Sequence, residues 1–310
     1  MSNPQAYLWL RRFRVDITSH SNRVYANGHQ EVEVTVTVEP REGQRLDDQQ
    51  MASISLVQID DQGQLHHLDG ELFALDERDP RFEYHSASGF LPATLPSASR
   101  QTRRRRFYVS SKRPGGSLDT VYASIWMADG ERFVSNEGFF RSSVTIESVP
   151  PLRLGKEHFE LLRDDLAAQP LEGGHFDLDL YTLGFKDPNL RIIESRCYAT
   201  PSASEYYEGY VDNRPALQLG GPYRADSFFH YAFAVGPTFT WRAYGEQVVI
   251  NRTPGTMNFI RVLNVDYDKP GYPEIRRISR WGLLDQQGNE HIIEMQPAAK
   301  GNLIDFRIGQ

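Results

Sequence analysis

The sequence holds a single cysteine, Cys197. No intramolecular disulfide can form, so the fold owes nothing to an oxidising compartment. Its flank, ESRCY, ends an apolar run and reads as the setting of a buried structural thiol. Long apolar runs are also missing. None approaches the ~20 consecutive residues that span a bilayer, so no membrane span is expected. The opening MSNPQAYLWLRRFRV has arginines breaking its early apolar run and lacks the apolar core of a signal peptide. Cytoplasmic localisation is the expectation, with export by a route without a cleaved signal left open.

Motifs for chemistry are equally scarce. There is no Gly-x-Ser-x-Gly elbow, no phosphate-cradling glycine loop and no His-Glu-x-x-His. The expectation is therefore no catalytic residue that can be named, no cofactor and no metal. His66 and His67 are adjacent, so on a strand they face opposite sides and cannot chelate together. Asp266, Asp268 and Gly271 open like a calcium loop, but Pro270 takes a ligand position and Arg277 stands where the closing glutamate belongs.

What is present points to sheet. Of 310 residues, 39% are hydrophobic and 12% aromatic, enough to bury full cores and weighted toward strand formers. The net charge of −7 aids solubility and argues against a chain-wide coat for nucleic acid, though not against a local basic patch. The clearest signal is Glu31 to Val38, EVEVTVTV, after the turn Asn27-Gly28. Val32, Val34, Val36 and Val38 share one face, and Glu31, Glu33, Thr35 and Thr37 the other. Such alternation predicts one buried and one wet face, as in an antiparallel sandwich.

Further strands are predicted at Tyr7 to Thr18, with a bulge at Arg11-Arg12, and at Ala52 to Ile59 after a polar link, Leu46 to Gln50. Others follow at Leu65 to Phe73, Arg106 to Ser110, Val121 to Met127, Arg132 to Ser135 and Ser143 to Val149. Pro150-Pro151 then stops the pattern and marks a domain boundary. One helix is predicted at Lys156 to Ala168, where Leu154, Phe159, Leu161, Leu162 and Leu166 fall along a stripe. Beyond it, strands are predicted at His175 to Leu183, Leu190 to Tyr198, Phe228 to Val235, Phe239 to Tyr244, Gln247 to Asn251, Asn258 to Val265, Ile275 to Leu284 and His291 to Met295. The expected fold is mostly β, with two antiparallel β domains. Residues 1–150 form a sandwich of immunoglobulin-like type, and residues 151–310 a second β domain with one helix.

The segment RVYANGHQEVEVTVTVEPREGQ, Arg23 to Gln44, resembles the opening strands of bacterial immunoglobulin-like domains, in which an Ala-Asn-Gly turn precedes an alternating valine/threonine strand. The resemblance implies a structural or adhesive module.

Three groups of residues are candidates for function. Arg100 to Arg113, RQTRRRRFYVSSKR, carries six arginines and one lysine with no acid. The guanidinium groups of Arg103, Arg104, Arg105, Arg106 and Arg113 suit bidentate pairing with phosphates, Lys112 adds a point charge, and Phe107 and Tyr108 suit base stacking. A solvated edge strand guarded by charge is the structural alternative. Tyr206, Tyr207 and Tyr210, in the loop EYYEGY, offer a contact surface for a protein or glycan partner, or else pack between layers. Asp177 and Asp179 share a strand face, as do Asp226 and His230, but no nucleophile can be assigned to them. The sequence thus favours a non-catalytic bacterial binding or interaction protein, of the kind found in assembly or toxin systems. RNA or single-stranded DNA binding through residues 100–113, and a hydrolase site in the C-terminal domain, are the alternatives.

Overall fold

The computed structural model describes residues 6–86, 91–171, 174–199, 205–206, 216–218, 222–223, 226–243, 245–266, 279–299 and 303–309. The fold is mostly β, with antiparallel sheets and two short helices among the described residues. The chain divides into two compact units, residues 1–152 with 287–289, and residues 153–286 with 290–310.

The first unit opens with a one-turn helix α1 (Ala6–Trp9), then β1 (Leu10–Ile17), β2 (Arg23–Tyr25) and β3 (Val32–Pro40). Helix α2 (Asp48–Ala52) follows, then β4 (Ser55–Ile59), β5 (Leu65–His67), β6 (Leu72–Leu75), β7 (Arg103–Ser111), β8 (Leu118–Trp126), β9 (Arg132–Val134) and β10 (Val144–Val149). One sheet runs β1-β3-β7-β6. The other runs β2-β10-β8-β4-β5, with β9 also on β8. The four β3 valines are fully buried, and meet Phe13 and Val15 of β1, Phe107 and Val109 of β7, and Val121, Ala123 and Ile125 of β8 in one core. Side chains from both sheets fill it, which is why strict alternation specifies β3. The register of β1 on β3 shifts between Leu10 and Arg12, at the place where the sequence breaks alternation.

Two expectations fail here. The polar link Leu46 to Gln50 contains the start of α2. Asp47 caps it by accepting from the Gln50 amide at 2.7 Å, while the Gln50 side chain accepts from the Asp47 amide at 3.0 Å. This reciprocal capping box satisfies helix-end donors that a loop would leave to water. The second failure is the wet face of β3, because Glu31, Thr35, Thr37 and Glu39 are buried too. Arg14 of β1 and Arg104 of β7 flank Thr37 in register, and Asp16 and Arg106 flank Thr35, so long side-chain stems lie over the threonines. Residues 79–84 bring a second cover: the Asp79 amide donates to Glu31, and the Tyr84 hydroxyl donates to Glu33 at 3.3 Å.

In the second unit a single 3₁₀ turn (Lys156–His158) leads into β11 (Phe159–Leu171), β12 (Gly174–Phe185), β13 (Ile192–Ala199), β14 (Glu205–Tyr206), β15 (Ala216–Gln218), β16 (Pro222–Tyr223) and β17 (Asp226–Phe233). Then come β18 (Phe239–Ala243), β19 (Glu246–Ile250), β20 (Met257–Asp266), β21 (Ser279–Asp285), β22 (Glu290–Ala298) and β23 (Leu303–Ile308). The large sheet runs β11-β12-β20-β17-β15-β14, with β16 on β17. A second sheet runs β13-β21-β22-β23, and β18-β19 form a separate hairpin. Tyr181, Leu183, Ala232 and Phe259 on one face of the large sheet share a core with Trp281, Leu283, Ile293 and Phe306. Leu178, Tyr231, Ile260 and Val262 on the other face share one with Trp241, Val248 and Ile250. This sheet is therefore covered on both sides.

The expected helix at Lys156 to Ala168 is strand β11. Its stripe splits: Phe159 is buried and Leu161 half-buried, while Leu162 and Leu166 are 52% and 44% exposed. The partner strand decides the matter. Strand β12 alternates strongly, and its ladder with β11 runs from Phe159↔Phe185 to Leu171↔Gly174 with one bulge between Asp165 and Ala167. Backbone bonding along that ladder outweighs the helix propensity of ELLRDDLAA, which spans only tenths of a kcal/mol per residue.

Burial pushes the Glu31 carboxyl up from 4.5 to about 7, with Asp79 adding like charge. The native state therefore holds a proton that the unfolded chain has already released between those values. The stability this gives is complete below pH 4.5 and is lost as pH rises through 7. Glu31→Gln is expected to flatten that slope and to be the more stable protein at pH 8, by roughly 2 kcal/mol, in urea titrations across pH.

Candidate functional site

Pairing in the second unit lines up a row of polar residues across four strands. Asp165 of β11 lies opposite Asp179 of β12, Asp179 opposite Arg261 of β20, and Arg261 opposite His230 of β17. Asp179, Arg261 and His230 are buried. Asp177, two residues from Asp179, shares its face as the sequence predicts. The Arg261 guanidinium binds both acids: its Nε donates to Asp179 Oδ2 at 2.5 Å, and its Nη2 donates to Asp177 Oδ2 at 2.6 Å and also pairs with Asp179. Arg163 of β11 adds a third contact, its Nε 3.0 Å from Asp179 Oδ2. That hydrogen bond pushes the Arg163 guanidinium further up.

Carboxylate oxygens of Asp165, Asp177 and Asp179 lie within 4.8 Å of one another, the spacing of a cation site. The chemistry of the set argues otherwise. Calcium takes six to eight oxygens, whereas two guanidinium groups already occupy this cluster. The same pairing bears on the hydrolase alternative. A general base needs a free carboxylate within reach of a substrate proton, and Asp177 and Asp179 instead accept from arginine. His230 joins the buried row beside Arg261; the Asp226 side chain lies outside the described residues.

A second acid–histidine pair escaped the sequence reading. His291 Nε2 lies 3.0 Å from Asp285 Oδ2, both buried, across the β21–β22 hairpin. The ring packs edge-on against Phe159 and Phe185, with centroids 5.8 and 5.3 Å away. The residues are six apart on two strands, so only the hairpin register brings them together.

Among the described residues of this unit, a groove of about 550 Å³ lies between β11 and β23. Phe159, Leu161, Leu303, Ile304 and Phe306 supply its apolar surface, and Tyr181 lies at its base. Lys156, Arg163 and Lys186 bring positive charge, and Glu157 and Asp305 negative. Lys156 Nζ binds Asp305 at 2.8 Å and sits 4.8 Å from the Phe306 ring centroid. Burial works against the charged form of Asp305, yet Lys156 and the Phe306 amide hold its carboxyl below the ordinary range. Burial pushes the Tyr181 phenol up. Arg163 joins the two features, since it lines the groove and binds Asp179.

The arginine run lies in the first unit, on β7. Alternation sends Arg103 and Arg105 to one face and Arg104 and Arg106 to the other. Arg103 donates to the Leu46 carbonyl and to Asp48. Arg105 closes the end of α2 through the Ala52 and Ile54 carbonyls, at 2.5 and 2.9 Å, and binds Asp76 at 2.8 Å. Arg113 meets Asp69, Glu71 and Asp119. The Lys112 ammonium sits 5.7 Å from the Phe73 ring. Phe107 is buried in the core and cannot stack on a base; Tyr108 is half-buried. The outward pair remains: Arg104 donates to the Pro96 carbonyl, and Arg106 stands 3.9 Å from Glu33.

Tyr207 and Tyr210 lie outside the described residues. Tyr206 is in β14, opposite Ala216, and its side chain is likewise outside them. Cys197 is exposed on β13, not buried. Asn251, which opens the short glycosylation pattern Asn251-Arg252-Thr253, is buried, with Nδ2 donating to the Ala234 carbonyl at 3.0 Å. Among the described residues no helix is long and apolar enough to cross a membrane.

No protein-family model and no curated protein matches the chain. Among solved structures it is similar to the C-terminal domain of the antigen I/II-family protein AspA of Streptococcus pyogenes. That match has 10% identity, covers 90% of this chain and 96% of that one, and has a TM-score of 0.26. A likeness of that size carries no argument about role.

Asp179→Ala is expected to cost about 3–5 kcal/mol, since it strands the Arg261 guanidinium in a sheet covered on both faces. Asp179→Leu combined with Arg261→Met should recover most of the loss. Thermal and urea melts of the three variants check both statements.

Proposed function

We propose that this chain is a non-catalytic binding protein of two β modules, the first of immunoglobulin-like type, which engages a partner through the β11–β23 groove. The supporting observation is the contrast between two features of the second unit. Its acidic groups are held by arginines, whereas its groove combines open apolar surface with charged groups, the composition of a ligand site. The apolar anionic dye 8-anilinonaphthalene-1-sulfonate tests this reading. The native protein should bind it at one site, and Leu161→Arg, a change on a half-buried edge position, should abolish binding while leaving the circular dichroism spectrum intact. Turnover of nitrophenyl esters, phosphates or glycosides that disappears in Asp179→Asn would instead make the chain a hydrolase.

A second reading, nucleic-acid binding, rests on the outward pair Arg104 and Arg106, whose neighbours leave them at the surface. With most of the run engaged elsewhere, few phosphates can be contacted. Affinity for a short single-stranded RNA should fall with salt at a slope of about −0.7 per contact, no steeper than two contacts allow. Arg104→Gln with Arg106→Gln, which keeps most of each side-chain stem over β3, should remove it while the protein stays folded by circular dichroism. Salt-independent or undetectable binding in anisotropy titrations ends this reading.

A further inference from the structure

The groove runs along two sheet edges. Among the described strands, β11 pairs only with β12, and β23 only with β22. Edge backbone is a template for pairing unless something covers it. On β23 the Asp305 carboxylate is tied to Lys156, a charged side chain of the kind that guards an edge. Strand β11 differs. The Lys186 amide donates to the His158 carbonyl at 2.9 Å, which sets the phase of the antiparallel ladder. Bonded positions then fall at Glu160 and Leu162, so the backbone N–H and C=O of Leu161 and Arg163 face away from β12. Two such positions in succession match the repeat of an extended strand, at about 7 Å. The bulge between Asp165 and Ala167 ends the straight stretch.

Charge selects the occupant. Lys156 is paired with Asp305 and Arg163 with Asp179. Lys186, on the same groove, is exposed and has no ion pair among the described residues. A ligand that supplies a carboxylate there completes the pairing.

We propose that the groove takes an extended acidic peptide, added as a strand on β11, with apolar side chains at alternate positions against Leu161 and Leu303 and a carboxylate at Lys186. This rests on the groove being the binding site and adds the chemical class of its partner. Main-chain bonds at Leu161 and Arg163 give affinity, and the alternating side chains give selectivity.

The test uses the full chain and three labelled peptides. One alternates valine with aspartate, the second alternates valine with lysine, and the third is the aspartate peptide with its amides N-methylated. Anisotropy should show binding of the first, and affinity weaker by roughly tenfold or more for the other two. Lys186→Glu, a surface change, should weaken the aspartate peptide to a similar extent and leave the lysine peptide no worse. Equal affinity for the lysine or N-methylated peptide overturns the proposal. If no peptide binds but the dye still titrates into the groove, the peptide is wrong and the groove reading stands; if neither binds, both fall. Dimerisation in light scattering that Leu161→Arg abolishes would assign the edge to a second copy and overturn the peptide.

Discussion

A guanidinium placed where no water reaches sets the terms for the second unit. Arg261 sits in the middle of a sheet covered on both faces, and such a charge persists only if it is paired. Asp179 supplies the pair from the neighbouring strand, Asp177 accepts a second bond, and Arg163 also meets Asp179, leaving Arg261 Nη1 and Asp179 Oδ1 buried without a hydrogen bond among the described residues. The pairing selects one register, since a slip of one residue in β12 or β20 would turn the acids into the opposite core. The pair thus ties together the register of β11, β12 and β20. It also fixes the side chain of Arg163, and with it one wall of the groove.

The same requirement engages the acids that sequence spacing singled out: both Asp177 and Asp179 accept from Arg261, and Asp179 also meets Arg163. Asp177 and Asp179 were readable as neighbours because residues two apart on a strand share a face. Arg261 was not, because its link to them comes from strand order, which no local pattern encodes. His291 and Asp285 were hidden because the register of the β21–β22 hairpin, which their spacing of six does not reveal, sets them together.

The strands that alternate were legible, β3 most of all, and so was the bulge at Arg11-Arg12. The misread segments share a cause. At β11 the leucines repeat at a spacing that suits either helix or strand, and a partner far better patterned than itself decides the outcome. At β3 the acids and threonines look wet by composition, yet arginine stems from both neighbours lie over them. At β7 the run of arginines looks like one ligand-binding patch. In the structure it divides by parity into a pair that fastens α2 and a pair left outside. The capping box Asp47-x-x-Gln50 was in plain view in the sequence, and its helix was missed because five residues show no periodicity.

Topology also governs the order in which the first unit can form. Strand β10 lies between β2, to which it is parallel, and β8, and Val149 accepts from the Ala26 amide. A chain emerging residue by residue therefore cannot close this sheet until its first 149 residues are out. Until then β2 has no neighbour, and the valines of β3 lack part of their lid. By contrast β11 and β12 follow each other closely in sequence, with Leu171 paired to Gly174, so their ladder is local. Closure of the first unit's second sheet thus waits on a pairing that spans more than a hundred residues of chain, the kind of contact that forms slowly.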